Sequence, residues 1–106
     1  MFLNGDIWKI KLYLVRGSEQ GGVRPCIIIS PNSMNNALST IIVIPLTSQL
    51  KNWPTTIEVT FDKINSQACI EHIRSVSKER FIEKLGSVTD IELAIIQKRL
   101  QATFSS

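Results

Sequence analysis

The densest group of chemically useful side chains lies in a glycine-rich stretch, residues 17–25. It holds a hydroxyl, a carboxylate, an amide and a guanidinium, from Ser18, Glu19, Gln20 and Arg24. Glycine permits positive φ angles that let backbone N–H groups converge on an anion, and the planar guanidinium matches phosphate oxygens. Phosphate recognition is the natural functional interpretation, but a glycine-rich loop with one Arg is more often a plain turn that ends in a surface ion pair, so composition alone does not decide between the two.

Two aromatic side chains elsewhere are also candidates for chemistry. Trp53 precedes Pro54 in a polar loop, where it could stack on an unpaired base or anchor the loop on the core. His72 is the only histidine. If its segment is a strand, His72 shares a face with Ala68 and Ile70, which favours a half-buried structural role over a catalytic one.

The composition indicates one globular domain over residues 1–106, with a formal net charge of +3 and a pI near 9.1. The charges are scattered, so the basic balance only weakly favours a polyanionic partner. Cys26 and Cys69 lie in apolar runs without zinc-site spacing, so we expect reduced core cysteines and neither a metal nor a cofactor. The N-terminus lacks the basic start and apolar run of a signal peptide, and we expect a cytoplasmic protein.

Alternating and β-branched apolar runs predict short strands. These are Ile7–Leu14, Cys26–Ile29, Ile41–Ile44, Ile57–Phe61, Gln67–Val76 and Ile82–Val88. The second and third are short and uniformly apolar, which is typical of strands buried on both faces. Short strands at close spacing followed by one helix predict a mostly β fold, a small antiparallel barrel with a C-terminal helix.

The helix is marked by a capping box from Thr89 to Glu92 and is expected to end near Thr103. One apolar stripe is expected to pack on the barrel; its residues are Leu93, Ile96, Leu100 and Phe104. A thinner stripe lies nearly opposite and consists of Ile91, Ile95 and Ala102. That second stripe is either partly sunk in the core or a contact surface for a partner.

Several motifs along the chain resemble those of one family. They are Gly5-Asp6-Ile7-Trp8, the stretch 17–25, Ile44-Pro45-Leu46-Thr47-Ser48, Ile73-Arg74-Ser75-Val76 and Gly86. In these segments the chain resembles the MazF/PemK messenger-RNA interferases, the toxins of bacterial toxin–antitoxin pairs. The resemblance implies an SH3-like barrel of the CcdB/PemK type that forms a homodimer and binds a cognate antitoxin. It also implies metal-independent cleavage of single-stranded mRNA to a 2′,3′-cyclic phosphate and a 5′-hydroxyl.

By the same resemblance, Arg24 and Thr47 are catalytic, Glu19 takes part as in some members, and Arg74 contacts substrate. Ser18 and Gln20 of the glycine-rich stretch and Trp53 complete the expected substrate contacts. The reaction needs a group that takes the 2′ proton and a group that stabilises phosphoryl charge. Arg24 suits the second role because a guanidinium stays protonated. The group that takes the 2′ proton is either Glu19 or Thr47, and the sequence does not decide between them.

A second reading is a CcdB-like toxin on the same barrel, which binds DNA gyrase and cuts nothing. That group relies on a C-terminal Trp-Gly-Ile, whereas this chain ends Thr103-Phe104-Ser105-Ser106. A third reading is a degenerate relative that serves only as an interaction module. In the favoured reading, base preference is expected to depend on the loops 32–39 and 48–54.

Overall fold

The computed structural model describes residues 1–12, 22–50 and 52–105. The predictions for Ser18, Glu19 and Gln20, and the end of the first predicted strand at Leu14, lie outside these residues.

The described chain forms an antiparallel sheet that curls around a core and is followed by a C-terminal helix. Its elements are β1 (Asp6–Lys11), β2 (Val23–Ile28), α1 (Asn32–Ala37), β3 (Thr40–Thr47), β4 (Thr56–Phe61), β5 (Ile64–Cys69), β6 (Arg74–Ser77), β7 (Phe81–Ser87) and α2 (Asp90–Phe104). The strand order is β4-β5-β3-β2-β1-β7, and β6 pairs with β3 outside this path. The predicted mostly β fold with a terminal helix is confirmed.

Strand β3 is the centre of the sheet and changes partner along its length. Its first half, Thr40 to Val43, pairs with β6, and its last two residues pair with β5. Pro45 lies between the two pairings, where an interrupted ladder tolerates a residue without an N–H. The strand therefore continues through Pro45 to Thr47 rather than ending at Ile44 as the sequence predicted.

The single strand predicted over 67–76 is wrong. A 3₁₀ turn, Ile70–His72, separates β5 from β6. Leu46 pairs with Ala68 and Val43 with Arg74, so three residues along β3 correspond to six along the partner segment. A regular strand cannot absorb this offset, and the three-residue turn does.

The predicted loop 32–39 contains the short helix α1, which the sequence did not indicate because it has no apolar periodicity. The helix is held by a buried polar contact. Asn35 Nδ2 donates to the Ser30 carbonyl oxygen at 3.0 Å, and Ser30 Oγ accepts from the Ile42 N–H at 3.1 Å. Buried polar groups need such partners, so this contact ties α1 to β3.

The predicted capping box of α2 is present: Thr89 Oγ1 accepts from the Glu92 N–H at 3.1 Å, and Glu92 Oε1 accepts from the Thr89 N–H at 2.9 Å. Ile96 is fully buried in the core with Ile7, Ile27 and Ile44. The predicted packing of Phe104 is wrong, since its side chain is 67% exposed at the end of the helix.

The second stripe of α2 is not sunk in the core, because Ile91 is 74% and Ile95 48% exposed and Ala102 is also exposed. It lies on the side of the helix that faces away from the sheet. Neither helix in the described ranges has the length and apolar character needed to cross a membrane.

Strands β2 and β3 have apolar residues on both faces, as predicted. One face joins the core under α2, and the other packs into a second cluster with Ile10 and Leu12 of the first strand segment. At the start of β1, Gly5 has a φ of +92°, and a Cβ there would lie 3.3 Å from a methyl group of Leu93. The Gly5-Asp6 motif therefore has a structural role, since Asp6 accepts from the Leu3 N–H and lies 3.4 Å from Lys84.

Candidate active site

The sheet register brings together the two side chains predicted to be catalytic. In the ladder between β2 and β3, the last pair before the site is Cys26 with Pro45. Two residues beyond this pair along each strand are Arg24 in β2 and Thr47 in β3, so the two residues lie at the same end of the ladder. Both side chains are half-buried.

Arg24 and Thr47 border two adjoining depressions. The first has a volume of about 290 Å³ and is also lined by Leu12, Gln49, Trp53, Glu71, His72 and Arg74. The second, about 450 Å³, extends toward the β4–β5 hairpin and is also lined by Gln49, Ser48, Phe61, Ile64 and Ser66. We refer to the first as the cleft and to the second as the hairpin groove. The Arg24–Thr47 pair lies where the two meet.

Thr47 is held at the end of β3 by backbone pairing with Gln67 of β5. Its Oγ1 accepts a hydrogen bond from the Gln49 N–H at 3.1 Å. One lone pair of the hydroxyl is thus engaged, and its hydrogen can be donated toward the cleft.

Arg74 enters the cleft from β6, where its backbone pairs with Val43. Its Nη2 donates to the Leu12 carbonyl oxygen at 3.2 Å. The Leu12 N–H in turn donates to the Gly22 carbonyl oxygen. Arg74 therefore holds the residue that follows β1, at the point where this residue lies against Gly22 just before β2.

The pKa of the Cys26 thiol depends on its burial and on the charges near it. Burial raises the pKa of Cys26 to about 12, while the positive charges of Arg74 and Arg24 act in the opposite direction. Both guanidiniums are therefore close enough to influence the same buried group. The thiol stays protonated at neutral pH and is no candidate nucleophile.

Trp53 lines the cleft from the loop between β3 and β4, and its side chain is half exposed. Its carbonyl oxygen accepts from the N–H and the Oγ1 of Thr56, at 3.2 and 2.8 Å. The neighbouring Pro54 carbonyl accepts from Arg99 of α2. The carbonyl oxygens of Trp53 and Pro54 are thus both hydrogen-bonded, which restrains the backbone that carries the indole.

The expected half-buried position of His72 is wrong. The residue lies on the 3₁₀ turn rather than on a strand, and its side chain is 65% exposed. Its Nε2 is 3.8 Å from Glu71 Oε2, and both residues line the cleft. The prediction failed because it extended strand alternation through residues that form a turn.

Sequence reasoning also did not single out Gln49 and Glu71, which line the cleft. Gln49 belongs to the loop that was expected to influence base preference, and Glu71 lies just before the Ile73-Arg74 motif. The available signal was their closeness to motif residues along the chain. Among the described residues, no three His, Cys, Asp or Glu side chains come together as a metal site would require.

Comparison with known proteins places this arrangement in a family. The model of the PemK-like, MazF-like toxins of type II toxin–antitoxin systems matches residues 3–104. The chain belongs to this family. The resemblance indicated by the sequence motifs is thus confirmed, and the gyrase-binding alternative is not favoured.

Individual relatives agree with the family assignment. The chain is 35% identical over 96 residues to the endoribonuclease MazF of Staphylococcus saprophyticus, covering 85% of this chain and 80% of the relative. The crystal structure of MazF from Deinococcus radiodurans superposes with a TM-score of 0.80 at 23% identity, over 100% of this chain and 97% of that one. A mycobacterial endoribonuclease in complex with its cognate antitoxin gives a TM-score of 0.78 at 20% identity, over 94% and 91%. These structures share the fold.

The raised pKa of Cys26 predicts a pH-dependent stability. Below about pH 8 the thiol is neutral in both folded and unfolded chains, so its full contribution to stability is present. Between about pH 9 and 12 only the unfolded thiol ionises, and the free energy of unfolding falls by about 1.4 kcal/mol per pH unit. Cys26→Ala removes the group that titrates, so the substitution should lower the free energy of unfolding less at pH 10 than at pH 8.

Urea unfolding at a fixed protein concentration measures the loss of unfolding free energy at each of the two pH values. Val43→Ala, which removes a buried side chain without a titrating group, serves as the control and should cost the same at both pH values. An equal cost of Cys26→Ala at pH 8 and pH 10 would show that burial does not keep this thiol neutral.

Proposed function

We propose that this chain is a sequence-specific endoribonuclease toxin and that the cleft is its active site. It acts on single-stranded mRNA without a metal and leaves a 2′,3′-cyclic phosphate and a 5′-hydroxyl. The observation that carries the proposal is that Arg24 and Thr47 lie together at the end of the β2–β3 ladder and line one cleft with Arg74 and Trp53. A cation, a hydroxyl and an exposed indole are suited to a phosphate and an unstacked base.

The reaction is an internal transesterification. The ribose 2′-oxygen loses its proton and forms a bond to the adjacent phosphorus, while the bond from phosphorus to the 5′-oxygen breaks and the leaving oxygen takes up a proton. Negative charge builds up on the non-bridging phosphoryl oxygens. Arg24 stabilises this charge, because a half-buried guanidinium acts more strongly there than it would in water.

Thr47 orients the phosphate as a hydrogen-bond donor. Its Oγ1 already accepts from the Gln49 N–H, so the hydroxyl is better placed to donate than to take a proton. For the proton acceptor we propose Glu19, on sequence grounds, because a carboxylate is the stronger base of the two candidates. Ser18 and Gln20 are proposed as further substrate contacts from the same stretch.

Trp53 is proposed to stack on a base and Arg74 to contact the RNA backbone. Both line the cleft, and the fixed backbone of the Trp53 loop lowers the entropy cost of holding the ring against a base.

We further propose that the chain works in the cytoplasm as a homodimer, as a single domain over residues 1–106, and that a cognate antitoxin neutralises it. Family membership supports this assembly. The described surface offers apolar side chains of the kind that protein partners cover, at Ile91, Ile95 and Phe104 of α2.

The first test is cleavage of RNA in the presence of EDTA. The purified protein should cut a single-stranded transcript, and sequencing of the 5′ ends will give the recognised bases. An oligonucleotide that carries 2′-deoxyribose at the mapped site should remain intact, because the attacking oxygen is missing. If both versions are cut, the 2′-oxygen is not the nucleophile.

Arg24→Ala should lower kcat by about 100-fold or more, since the side chain acts on transition-state charge. Lys98→Ala removes a positive charge from the exposed surface of α2 and should cleave at the unaltered rate. Circular dichroism verifies that both variants are folded. A folded Arg24→Ala protein with full activity would rule out this assignment.

Two further variants distinguish the candidates for the proton acceptor. Glu19→Gln should lower kcat by about 100-fold or more and abolish the fall of the rate at acidic pH. Thr47→Val should reduce kcat while leaving the shape of the pH profile unchanged, because only a hydrogen bond to the phosphate is lost. The opposite pattern, with the profile altered only in Thr47→Val, would assign proton transfer to Thr47.

A further inference from the structure

Two arginines converge on one backbone carbonyl at the edge of the cleft. The Leu12 oxygen accepts from Arg74 Nη2 at 3.2 Å and from Arg80 Nη1 at 2.9 Å. Because both nitrogens bind the same oxygen, the distance between them cannot exceed the sum of these two hydrogen-bond lengths. Guanidiniums stay charged at all physiological pH values, and like charges this close repel each other. A phosphate that binds between two guanidiniums lowers such repulsion.

Arg80 is exposed and is the last residue of a second 3₁₀ turn, Lys78–Arg80. A guanidinium has five N–H donors, and the Leu12 contact uses one of them. Within the described ranges, no carboxylate forms an ion pair with Arg80. Lys78, in the same turn, lies 5.9 Å from the ring centre of Phe2 and is engaged there. Arg80 is thus the cation of this turn that is directed toward the end of β1.

The position of Arg80 extends the cleft. Leu12 and Arg74 line the cleft together with Arg24, whereas Arg80 lies just outside its lining. Arg24, Arg74 and Arg80 therefore form a cationic surface that leads from the Arg24–Thr47 pair outward past Leu12, with Glu71 as an acidic residue in the cleft lining. A nucleic acid strand carries regularly spaced negative charges, and such a surface would follow its backbone beyond the cleaved bond.

We propose that Arg74 and Arg80 together bind a phosphodiester group of the RNA that flanks the cleavage site. This inference rests on the proposed function and adds to it a second phosphate site, with Arg80 as a substrate-binding residue. The planar fork of each guanidinium matches two phosphate oxygens. The Leu12 carbonyl holds both forks at the same point, so the site is arranged before RNA arrives.

The rival explanation is that Arg80 merely anchors the end of β1. Arg80→Gln removes the charge, and its shorter side chain also gives up the contact with the Leu12 oxygen, so the salt dependence of binding rather than its strength separates the two roles. Lys98→Gln is the matched control, since it removes the same charge from the exposed surface of α2. Arg80→Lys restores the charge without the fork and serves as a second variant.

The probe is a fluorescein-labelled, mixed-sequence RNA 20-mer with 2′-O-methyl groups throughout, which cannot be cut by attack of a 2′-hydroxyl. Its Kd is measured by anisotropy from 50 mM to 300 mM KCl. Loss of one phosphate contact on a single strand should lower the slope of log Kd against log salt by about 0.7 and weaken binding at 50 mM about five- to tenfold. We expect this for Arg80→Gln, partial recovery for Arg80→Lys, and the wild-type slope for Lys98→Gln.

Equal slopes for wild type, Arg80→Gln and Lys98→Gln would overturn the phosphate site. So would weaker binding by Arg80→Gln with an unaltered slope, or an Arg80→Lys protein no better than Arg80→Gln, since either indicates an anchoring role. None of these outcomes bears on whether the wild-type protein cleaves RNA. Conversely, a wild-type protein that cuts no RNA would reject the proposed function by a separate measurement.

Discussion

The backbone register between β2 and β3 is the constraint on which the candidate site depends. Arg24 and Thr47 are separated by more than twenty residues of sequence, and the pairing of Cys26 with Pro45 sets their relative position. A slip of one residue would turn one side chain to the opposite face of the sheet, because side chains alternate along a strand. The register is in turn fixed by burial, since both strands place apolar residues on both faces. The core thus specifies the geometry of the polar site.

A second feature is the use of one backbone oxygen atom to position two positive charges near the cleft. Arg74 and Arg80 both bind the Leu12 carbonyl. A carboxylate at that position would compete with phosphate for the arginines, whereas a carbonyl orients them without adding a negative charge. The effect of two guanidiniums on the buried Cys26 thiol agrees with a region of positive potential. Such a region suits a strand of phosphates.

Much of the fold could be predicted from local pattern. The strands with clear alternation, the doubly buried strands and the capped helix follow from residues within one segment, because propensity and periodicity act over short distances. Two of the errors have one common origin. The division of residues 67–76 into β5, a turn and β6, and the continuation of β3 through Pro45, both arise because β3 pairs with two different strands. Partner choice is a property of the assembled sheet that no single segment contains.

The sequence by itself determined the family motifs, the mostly β class, the helix start at Thr89 and the candidates Arg24, Thr47, Arg74 and Trp53, because each of these is recorded in residue types and their spacing. Only the tertiary structure decided that these four side chains border one cleft, that His72 is exposed at its rim, that Phe104 lies outside the core and that Arg80 meets Arg74 at Leu12. The physical reason is that distances across a sheet are set by strand pairing and by the packing of distant segments. Those contacts form between residues far apart in sequence, and local patterns do not encode them.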